Sequence, residues 1–259
     1  MKLIKSKQFK NGIVYALETE DGYPVETTDT FLPYYTKNCI NEHSNKLNKN
    51  EVGSRKERWM IGVSVASGCP VGCKFCATGK LKRWRNLSWK EIYSQIYFVI
   101  DKASTVPSKA KEFKINFTRM GEPFLNINNV KETIKLIREM SQDAHCYVST
   151  IGIKGADYSW IEGNTTLQLS IHALSDKRRD ELIPYRKKAT LEELGKIRTR
   201  SNLKTTVNLT LVDEHDFDIE VLKRYFDPEY FFIKLSPLNK NETSDLNKLE
   251  GVIEQTNLI

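Results

Sequence analysis

The chain has 259 residues, of which 39% are hydrophobic and 28% are charged, and its formal net charge is +7. This composition excludes a globally disordered protein, and no apolar stretch in the sequence is long enough for a membrane span. The positive charge favours polyanionic partners over acidic proteins or neutral metabolites. The first ten residues carry four lysines but no apolar block after them, so they do not resemble a secretory leader. We therefore expect a cytoplasmic protein.

The first part of the chain, residues 1–55, does not alternate between strand and helix patterns. Residues 12–19 and 23–27 flank the turn Asp21-Gly22 and predict a β-hairpin. Residues 41–56 are polar and rich in lysine, which predicts a loop or linker. We interpret residues 1–55 as a small β extension of a larger domain.

Three cysteines follow an apolar run at residues 59–66, with the spacing C-x-x-x-C-x-x-C. They are Cys69, Cys73 and Cys76, and Phe75 stands directly before the last. Thiolates are the usual ligands of iron–sulfur clusters, and a [4Fe-4S] cluster normally takes four of them. A set of three would leave one iron open to a small molecule, which favours a redox enzyme over an electron carrier.

Two other uses of these thiols stay open from the residues alone. A structural zinc site would need a fourth ligand, which only Cys39, Cys146 or one of the four histidines could supply. Disulfide bonds fit less well, because five cysteines without a secretory leader suit a reducing compartment.

Beyond the cysteines, strand patterns alternate with helix patterns at regular intervals. This alternation predicts a parallel sheet, and the nearly continuous apolar character of the strands predicts helices on both faces. Capping boxes, Ser88 with Glu91 and Thr190 with Glu193, mark two helix starts. The predicted strands are residues 59–66, 113–118, 146–150, 167–172, 205–211 and 231–235, and the predicted helices are residues 88–102, 128–141, 176–183, 190–201, 218–225 and 243–255. The central α/β domain would span residues 56–242, followed by a C-terminal helix within 243–259.

Active sites of parallel α/β folds gather at the carboxyl ends of strands, because the loops converge there. Four successive strands of this chain end in polar loops. The first leads into the cysteines, and the others end in Arg119-Met120-Gly121-Glu122-Pro123, in Val148-Ser149-Thr150-Ile151-Gly152 and in Leu169-Ser170-Ile171-His172-Ala173. Taken singly, Ser149 and Thr150 could instead cap a helix, and His172 could be a core histidine.

The cysteine spacing and its aromatic residue resemble the signature of the radical S-adenosylmethionine (SAM) superfamily. Within it, the ordered set of Val25-Glu26-Thr27, G-E-P, S-T-x-G and S-x-H-A segments resembles the methyltransferases that act on an adenine of 23S ribosomal RNA, with their antibiotic-resistance relatives. The resemblance runs from about residue 12 to residue 258. It implies an α/β fold, a partial (β/α)6 radical SAM barrel of parallel strands with a small N-terminal β extension. It also implies a [4Fe-4S] cluster, SAM, and an electron donor such as flavodoxin or ferredoxin.

The resemblance implies roles for individual residues. The three cysteines would be the metal ligands, and Gly121 and Glu122 would hold the methionyl amino group of SAM, with Pro123 shaping the turn. Glu26 matches the family's proposed proton acceptor, although an acid on a hairpin is also commonly solvated. Further cofactor contacts are implied for Phe75, Ser149, Thr150, Ser170, Ile171, His172 and Asn239.

The family pattern breaks at the two cysteines that carry its methyl transfer. The family's resolving cysteine stands seven residues before the first cluster ligand, where this chain has Gly62, and the methyl-carrying position would lie beyond Ile259. The sequence also has no counterpart of the family's N-terminal helical domain that helps to hold RNA. The spare thiols are Cys39 and Cys146, and methyl transfer of this kind needs a nucleophilic thiolate. We therefore predict SAM cleavage without the methyl-cysteine route.

Basic residues cluster beside aromatic ones, which favours contact with phosphates and bases, although a solvated face is the alternative. The clusters are Lys80, Lys82, Arg83 and Arg85 around Trp84, then Arg178 and Arg179, and then Arg186, Lys187 and Lys188 beside Tyr185. The primary prediction is an enzyme that modifies a nucleobase in RNA, DNA or a free nucleotide. The alternatives are a radical SAM enzyme acting on a small molecule or peptide, and a non-catalytic regulator that binds the cluster or SAM.

Overall fold

The computed structural model describes residues 1–34, 52–81, 83–213 and 216–252. Nine strands form one mixed sheet, whose spatial order follows the chain order. They are β1 (Lys2–Phe9), β2 (Gly12–Glu18), β3 (Pro24–Leu32), β4 (Arg58–Val63), β5 (Glu112–Phe117), β6 (His145–Thr150), β7 (Thr165–Ser170), β8 (Thr205–Thr210) and β9 (Phe231–Ser236). Neighbours from β1 to β4 pair antiparallel, and those from β4 to β9 pair parallel.

The six parallel strands confirm the predicted ones to within a few residues at each end. The first is shorter than predicted, because the chain leaves the sheet after Val63. Residues 66–67 instead pair antiparallel with residues 85–86, which brackets the cysteines between two short strands. This pairing therefore positions the start of the cysteine segment relative to the end of β4.

The N-terminal extension contains one strand more than predicted. The predicted hairpin is β2 and β3, and β1 adds to its outer edge. All residues of β1 before Phe9 are exposed, so no buried alternation marks this strand in the sequence. Since β3 pairs with β4, the extension continues the parallel sheet.

Six α-helices lie among the described residues: α1 (Trp89–Ala103), α2 (Ile127–Met140), α3 (Asp176–Leu182), α4 (Leu191–Gly195), α5 (Ile219–Tyr225) and α6 (Glu242–Leu246). Both predicted capping boxes are present, at the starts of α1 and α4. None of these helices combines the length and the apolar character that a bilayer crossing requires.

Two predicted helices are wrong in length. Helix α4 ends at Gly195 rather than residue 201, since the N–H groups of Lys196 and Ile197 donate to carbonyl groups three residues back instead of four. Gly195 itself lies against the backbone of α5, where an added Cβ would stand 2.2 Å from the Tyr225 carbonyl oxygen. Residues 200–201 instead pair parallel with residues 162–163. Helix α6 ends at Leu246, and part of the predicted stretch, residues 253–255, lies outside the described residues.

The expectation of strands that are apolar on both faces is wrong. In β5 to β8, one set of alternate residues is buried and apolar, and it packs in the main core with α1 and α2. The other set is largely polar, as in Asn116, Ser149, Ser170 and Asn208. We call this second set the inner face. It ends at the carboxyl edge of the sheet, beside the cysteines.

Candidate functional site

The cysteine loop, residues 68–76, lies on a hydrophobic cluster of its own. The backbone N–H of Lys74 donates to the carbonyl oxygen of Leu182, 2.9 Å away, which ties the loop to the end of α3. Cys69, Cys73 and Phe75 pack against this cluster. Its buried members are Val71, Ile151, Ala173, Leu182, Ile183, Val212 and Leu238. Apolar burial therefore holds the loop even though most of its residues are polar or small.

Two asparagine side chains of the C-terminal helix region also hold the cysteine loop. The Asn241 Nδ2 group donates to the carbonyl oxygen of Phe75 at 2.9 Å, and the Asn247 Nδ2 group donates to that of Lys74 at 3.0 Å. Asn241 is the N-cap of α6 and Asn247 its C-cap, so both ends of this helix are fixed to the loop. The path of the loop thus depends on residues about 170 positions further along the chain.

The three cysteines are free thiols that line one cavity, which we call the inner cavity. Burial raises the pKa of Cys69 to about 12, and it raises the pKa of Cys73 well above the usual range. Both thiols are therefore protonated in the free protein. Because metals bind thiolates, loading of a cluster would release these protons.

The placement of the thiols bears on the choice between zinc and an iron–sulfur cluster. Within the described ranges, no group of three histidine, cysteine, aspartate or glutamate side chains is arranged to hold a single metal ion. A zinc ion needs its ligands to converge on one point, about 2.3 Å from each sulfur. A [4Fe-4S] cluster has four irons, and three thiolates of one loop would each bind a separate iron.

The Gly121-Glu122 turn closes one side of the inner cavity. Gly121 has φ of 101°, and an added Cβ there would lie 2.8 Å from the backbone nitrogen of Ala66. The Glu122 carboxylate accepts hydrogen bonds from the backbone N–H groups of Phe124 and Ile151, both at 3.0 Å. Burial raises the pKa of Glu122 to about 7. Glu122 therefore joins its own turn to the end of β6, while lining the cavity of the thiols.

A row of hydroxyl and amide groups crosses the inner face beside the cavity. The Oγ atoms of Ser149 and Ser170 are 3.0 Å apart, and Gln168 Nε2 donates to Ser149 Oγ at 3.2 Å. One strand further, Ser236 Oγ donates to Asn208 Oδ1 at 2.7 Å. Such groups both donate and accept hydrogen bonds, so the row suits a ligand that carries hydroxyl and amine groups.

His172 stands between the cysteine loop and the inner face. Its ring meets the Phe75 ring edge-on, with 4.5 Å between the centroids. Burial lowers the pKa of His172 to about 3, so the ring is neutral at physiological pH. The backbone N–H of Thr210 donates to His172 Nδ1 at 3.1 Å, which leaves the ring proton on Nε2. His172 lines the inner cavity as a neutral hydrogen-bond donor.

A wider outer cavity, of about 600 Å³, opens beside the inner one and shares Cys76 and Arg119 with it. Glu26 and Asn239 line this outer cavity. Glu26 forms an ion pair with Arg119, in which Nε donates to Oε1 at 2.8 Å and Nη2 donates to the same oxygen. The pair joins β3 to the end of β5, at the boundary between the two cavities.

Most of the predicted site residues meet at these two cavities, but two do not line them. Pro123 is buried at the start of a short 3₁₀ helix, residues 123–125. Ile171 is fully buried, and its backbone N–H donates to the Asn208 carbonyl oxygen at 3.1 Å. Both residues shape the turns rather than face the cavities.

Sequence reasoning missed Arg119 as a site residue, although it stands directly before Met120-Gly121-Glu122-Pro123. Its partner, Glu26, is 93 positions away, so no local pattern joins the two. The one feature of the sequence that could have indicated this role is the charge of Arg119 next to a turn at a strand end.

Five of the nine residues of the predicted basic clusters are paired with carboxylates or buried. Arg85 pairs with Asp21 and Glu91, each at 2.6 Å, and Lys80 pairs with Glu242 at 2.7 Å. Further partners are Asp216 and Glu181 for Arg178, and Asp180 for Lys188, while Arg179 is fully buried and donates to the carbonyl oxygens of Ile151 and Ala189. Lys82 lies outside the described residues. The expectation of a free basic surface at these positions is therefore too simple.

The spare thiol that the structure describes, Cys146, lines neither cavity. Cys146 is fully buried on the helix-packed face of β6, and burial raises its pKa to about 12. A buried, protonated thiol is a poor nucleophile. Cys39 lies outside the described residues.

Comparison with known proteins agrees with this geometry. A family model described as the radical SAM superfamily matches residues 63–226. The chain belongs to the radical SAM superfamily. The matched residues contain the cysteine loop, the Gly121-Glu122 turn and the strand ends that carry Ser149 and Ser170. The predicted membership in this superfamily of enzymes is thus confirmed.

The chain also resembles curated relatives within the superfamily. It is 31% identical over 256 residues to a probable dual-specificity RNA methyltransferase RlmN from Dictyoglomus turgidum, over 91% of this chain and 66% of the relative. A protein of the same name from Christiangramia forsetii is 29% identical over 238 residues, over 86% of this chain and 66% of that relative. The chain therefore spans just under two thirds of the length of these relatives.

A solved structure supports the predicted fold. A radical SAM methyltransferase from Sphaerobacter thermophilus matches with a TM-score of 0.64 and 22% identity, over 92% of this chain and 67% of that chain. This similarity, together with the parallel strands and helices of the present chain, confirms the predicted partial α/β barrel. The antiparallel strands at its N-terminus form the predicted β extension.

Proposed function

We propose that this protein is a radical SAM enzyme that cleaves SAM reductively and modifies a nucleobase in RNA or in a nucleotide. One observation carries the proposal: the three thiols of the cysteine loop line the same cavity as the Gly121-Glu122 turn and the Ser149–Ser170 pair. A ligand set for a cluster and a polar surface for a small polar molecule thus adjoin at one place. The similarity to RNA methyltransferases supports RNA as the substrate class.

The residues present fit the two cofactors. Cys69, Cys73 and Cys76 would bind three irons of the cluster, and the Gly121-Glu122 turn with the Ser149–Ser170 pair would bind SAM. When bound, these cofactors supply one-electron cleavage of the sulfonium to methionine and a 5′-deoxyadenosyl radical, with the electron from a donor such as flavodoxin or ferredoxin. The protein would orient both cofactors and exclude water.

Glu26 is the proposed proton acceptor for the substrate, because it lines the outer cavity and its Oε2 atom is not used by Arg119. A general base must lie within hydrogen-bond reach of the proton that it removes, and the outer cavity is the open space next to it. We propose that catalysis does not use a resolving thiol, since the position that the family fills with cysteine is Gly62.

A second candidate function, action on a small molecule or a peptide, is favoured by the ion pairs that engage part of the basic clusters. Polyanion binding weakens steeply with salt, because bound counterions are released from the nucleic acid. Binding of RNA that is strongly salt-dependent would therefore favour the nucleobase proposal. RNA binding that is absent or insensitive to salt would favour the small-molecule proposal.

The central test is SAM cleavage by the full chain after anaerobic reconstitution with iron, sulfide and a reductant. We expect SAM-dependent release of 5′-deoxyadenosine by the wild type and by the control variant Cys146→Ala, whose thiol lies in the core. Cys73→Ala should bind less iron and release no 5′-deoxyadenosine. Equal product from wild type and Cys73→Ala would refute the proposal, and an intact cluster without any product would favour a non-catalytic regulator.

A further inference from the structure

Position 62 has no room for a side chain. Gly62 lies in β4 opposite Thr28 of β3. A Cβ atom added to Gly62 would stand 2.4 Å from Thr28 Oγ1 and 3.0 Å from Arg119 Cδ. The first distance is shorter than any real contact of a Cβ atom, and the second is at the limit. A side chain at this position would therefore displace the Thr28 hydroxyl and press against the stem of Arg119.

The stem of Arg119 fills this room and directs its guanidinium to the cavity boundary. Glu26 holds the guanidinium through Nε and Nη2, and both bonds end on Oε1. In the part of the chain that the structure describes, no residue accepts a hydrogen bond from the Nη1 group. The Arg119 side chain is 32% exposed and that of Glu26 is 39% exposed, so a ligand can reach both.

We infer that Gly62 and Arg119 act as a pair that binds an anionic oxygen group, a carboxylate or a phosphate, at the boundary between the inner and outer cavities. The planar guanidinium has a donor fork that matches these groups, and its charge is present at all physiological pH values. The Nη1 group can meet the anion while Glu26 keeps the rest of the guanidinium in place. Gly62 has no side chain and therefore leaves room for the aliphatic part of Arg119. The glycine is thus required for this anion-binding site.

The inference rests on the proposed function, which supplies two sources for the anion. One is the carboxylate of the methionyl part of SAM, since Arg119 lines the inner cavity. The other is a phosphate of the substrate, since Arg119 also lines the outer cavity with Glu26. Removal of one anionic group from each probe distinguishes the two.

The experiment measures binding to the reconstituted full chain under anaerobic conditions, by titration calorimetry. Two probe pairs are compared: SAM with decarboxylated SAM, and adenosine 5′-monophosphate with adenosine. In the wild type, we expect one pair to differ in affinity by about tenfold, the size expected of a charged hydrogen bond. Arg119→Met should abolish that difference. The pair affected identifies the cofactor or the substrate as the source.

The control is Arg198→Met, because Arg198 stacks on the Tyr230 ring at 4.1 Å, next to the start of β9 rather than at the strand ends that form the site. It should keep the wild-type difference. The inference is overturned if wild type shows no difference in either pair, or if Arg119→Met retains it.

Gly62→Ala tests the pairing itself. The added methyl group should push the Arg119 stem away and reduce the same affinity difference, although the arginine is still present. An affinity difference equal to that of wild type would overturn the pairing. If this variant does not fold, Arg119→Met still decides the inference. Release of 5′-deoxyadenosine by the wild type is measured in parallel, since its absence would refute the proposed function independently of the anion result.

Discussion

The two faces of the parallel strands differ in chemistry, although they are built from alternate residues of the same segments. Toward the helices, Ile115, Val148 and Leu169 are fully buried in the main core. On the inner face, Ser149 and Ser170 are hydrogen-bonded to each other. Burial of apolar side chains against the helices supplies most of the folding stability. The inner face can therefore carry polar groups that are not required for folding. Substitutions on the two faces should therefore have different effects.

The largest expected effect comes from the helix-packed face. Leu169→Ala should lower the free energy of unfolding by about 2–5 kcal/mol, because it removes buried methyl groups and leaves a cavity. The neighbouring Gln168→Ala, which points to the inner face, should cost less than about 1 kcal/mol. Urea unfolding followed by circular dichroism measures both. Equal losses would contradict the division between the two faces.

Glu122 lies where the two faces meet, and Glu122→Gln should lower the free energy of unfolding by about 1–3 kcal/mol. The carboxylate accepts two backbone N–H groups, whereas an amide would place its own N–H against one of them. The control is Glu132→Gln, since the Glu132 side chain is 43% exposed on α2 and forms only an ion pair of 3.8 Å with Lys135. That control should change the free energy by less than about 0.5 kcal/mol. If the Glu122→Gln protein were as stable as wild type, the two hydrogen bonds to the Glu122 carboxylate would not stabilise the fold.

An inner-face serine should show the opposite balance between stability and binding. Ser170→Ala should change the free energy of unfolding by less than about 1 kcal/mol, yet weaken SAM binding by about tenfold, as expected for the loss of one hydrogen bond. Ser94→Ala, on the exposed side of α1, is the matched control and should leave SAM affinity unchanged. SAM affinity that is unchanged in Ser170→Ala would argue that the cofactor does not reach this row.

The last expected effect is a dependence of stability on pH. His145 begins β6, its Nε2 lies 2.8 Å from Thr166 Oγ1, and burial, with a contribution from Lys114, lowers its pKa to about 4. Between pH 6.5 and pH 4, the unfolded chain binds a proton that the folded protein excludes, so stability falls as the pH falls through this range. The urea midpoint at pH 7 and pH 5 should therefore differ less in His145→Gln than in wild type. An identical pH dependence would assign the effect to other groups.

Local patterns predicted those parts of the fold that local interactions decide. Ser88 with Glu91 and Thr190 with Glu193 form their capping boxes as the sequence indicates. The parallel strands could be placed because runs of β-branched and aromatic residues alternate with helical segments. The cysteine loop and the polar turns could also be assigned to the carboxyl ends of strands, because each of them directly follows a predicted strand in the sequence.

Other features depend on partners far along the chain, and no local pattern carries them. The close packing of Gly195 against the backbone of Tyr225 joins residues thirty positions apart. Arg119 and Glu26 form an ion pair across 93 positions of the chain, and Arg85 and Asp21 form one across 64 positions. Composition shows that the chain is basic, but it does not show which cations are already paired.

The attachment of α6 to the cysteine loop sets a boundary for any shortened version of this protein. All nine strands are complete at Ser236, so a chain cut after Pro237 would retain the whole sheet. It would nevertheless lose Asn241 and Asn247, which hold the carbonyl groups of Phe75 and Lys74. A truncated protein would therefore keep its sheet, while its cysteine loop would lose two of its tethers. The smallest unit with a fully tethered cysteine loop extends to at least Asn247.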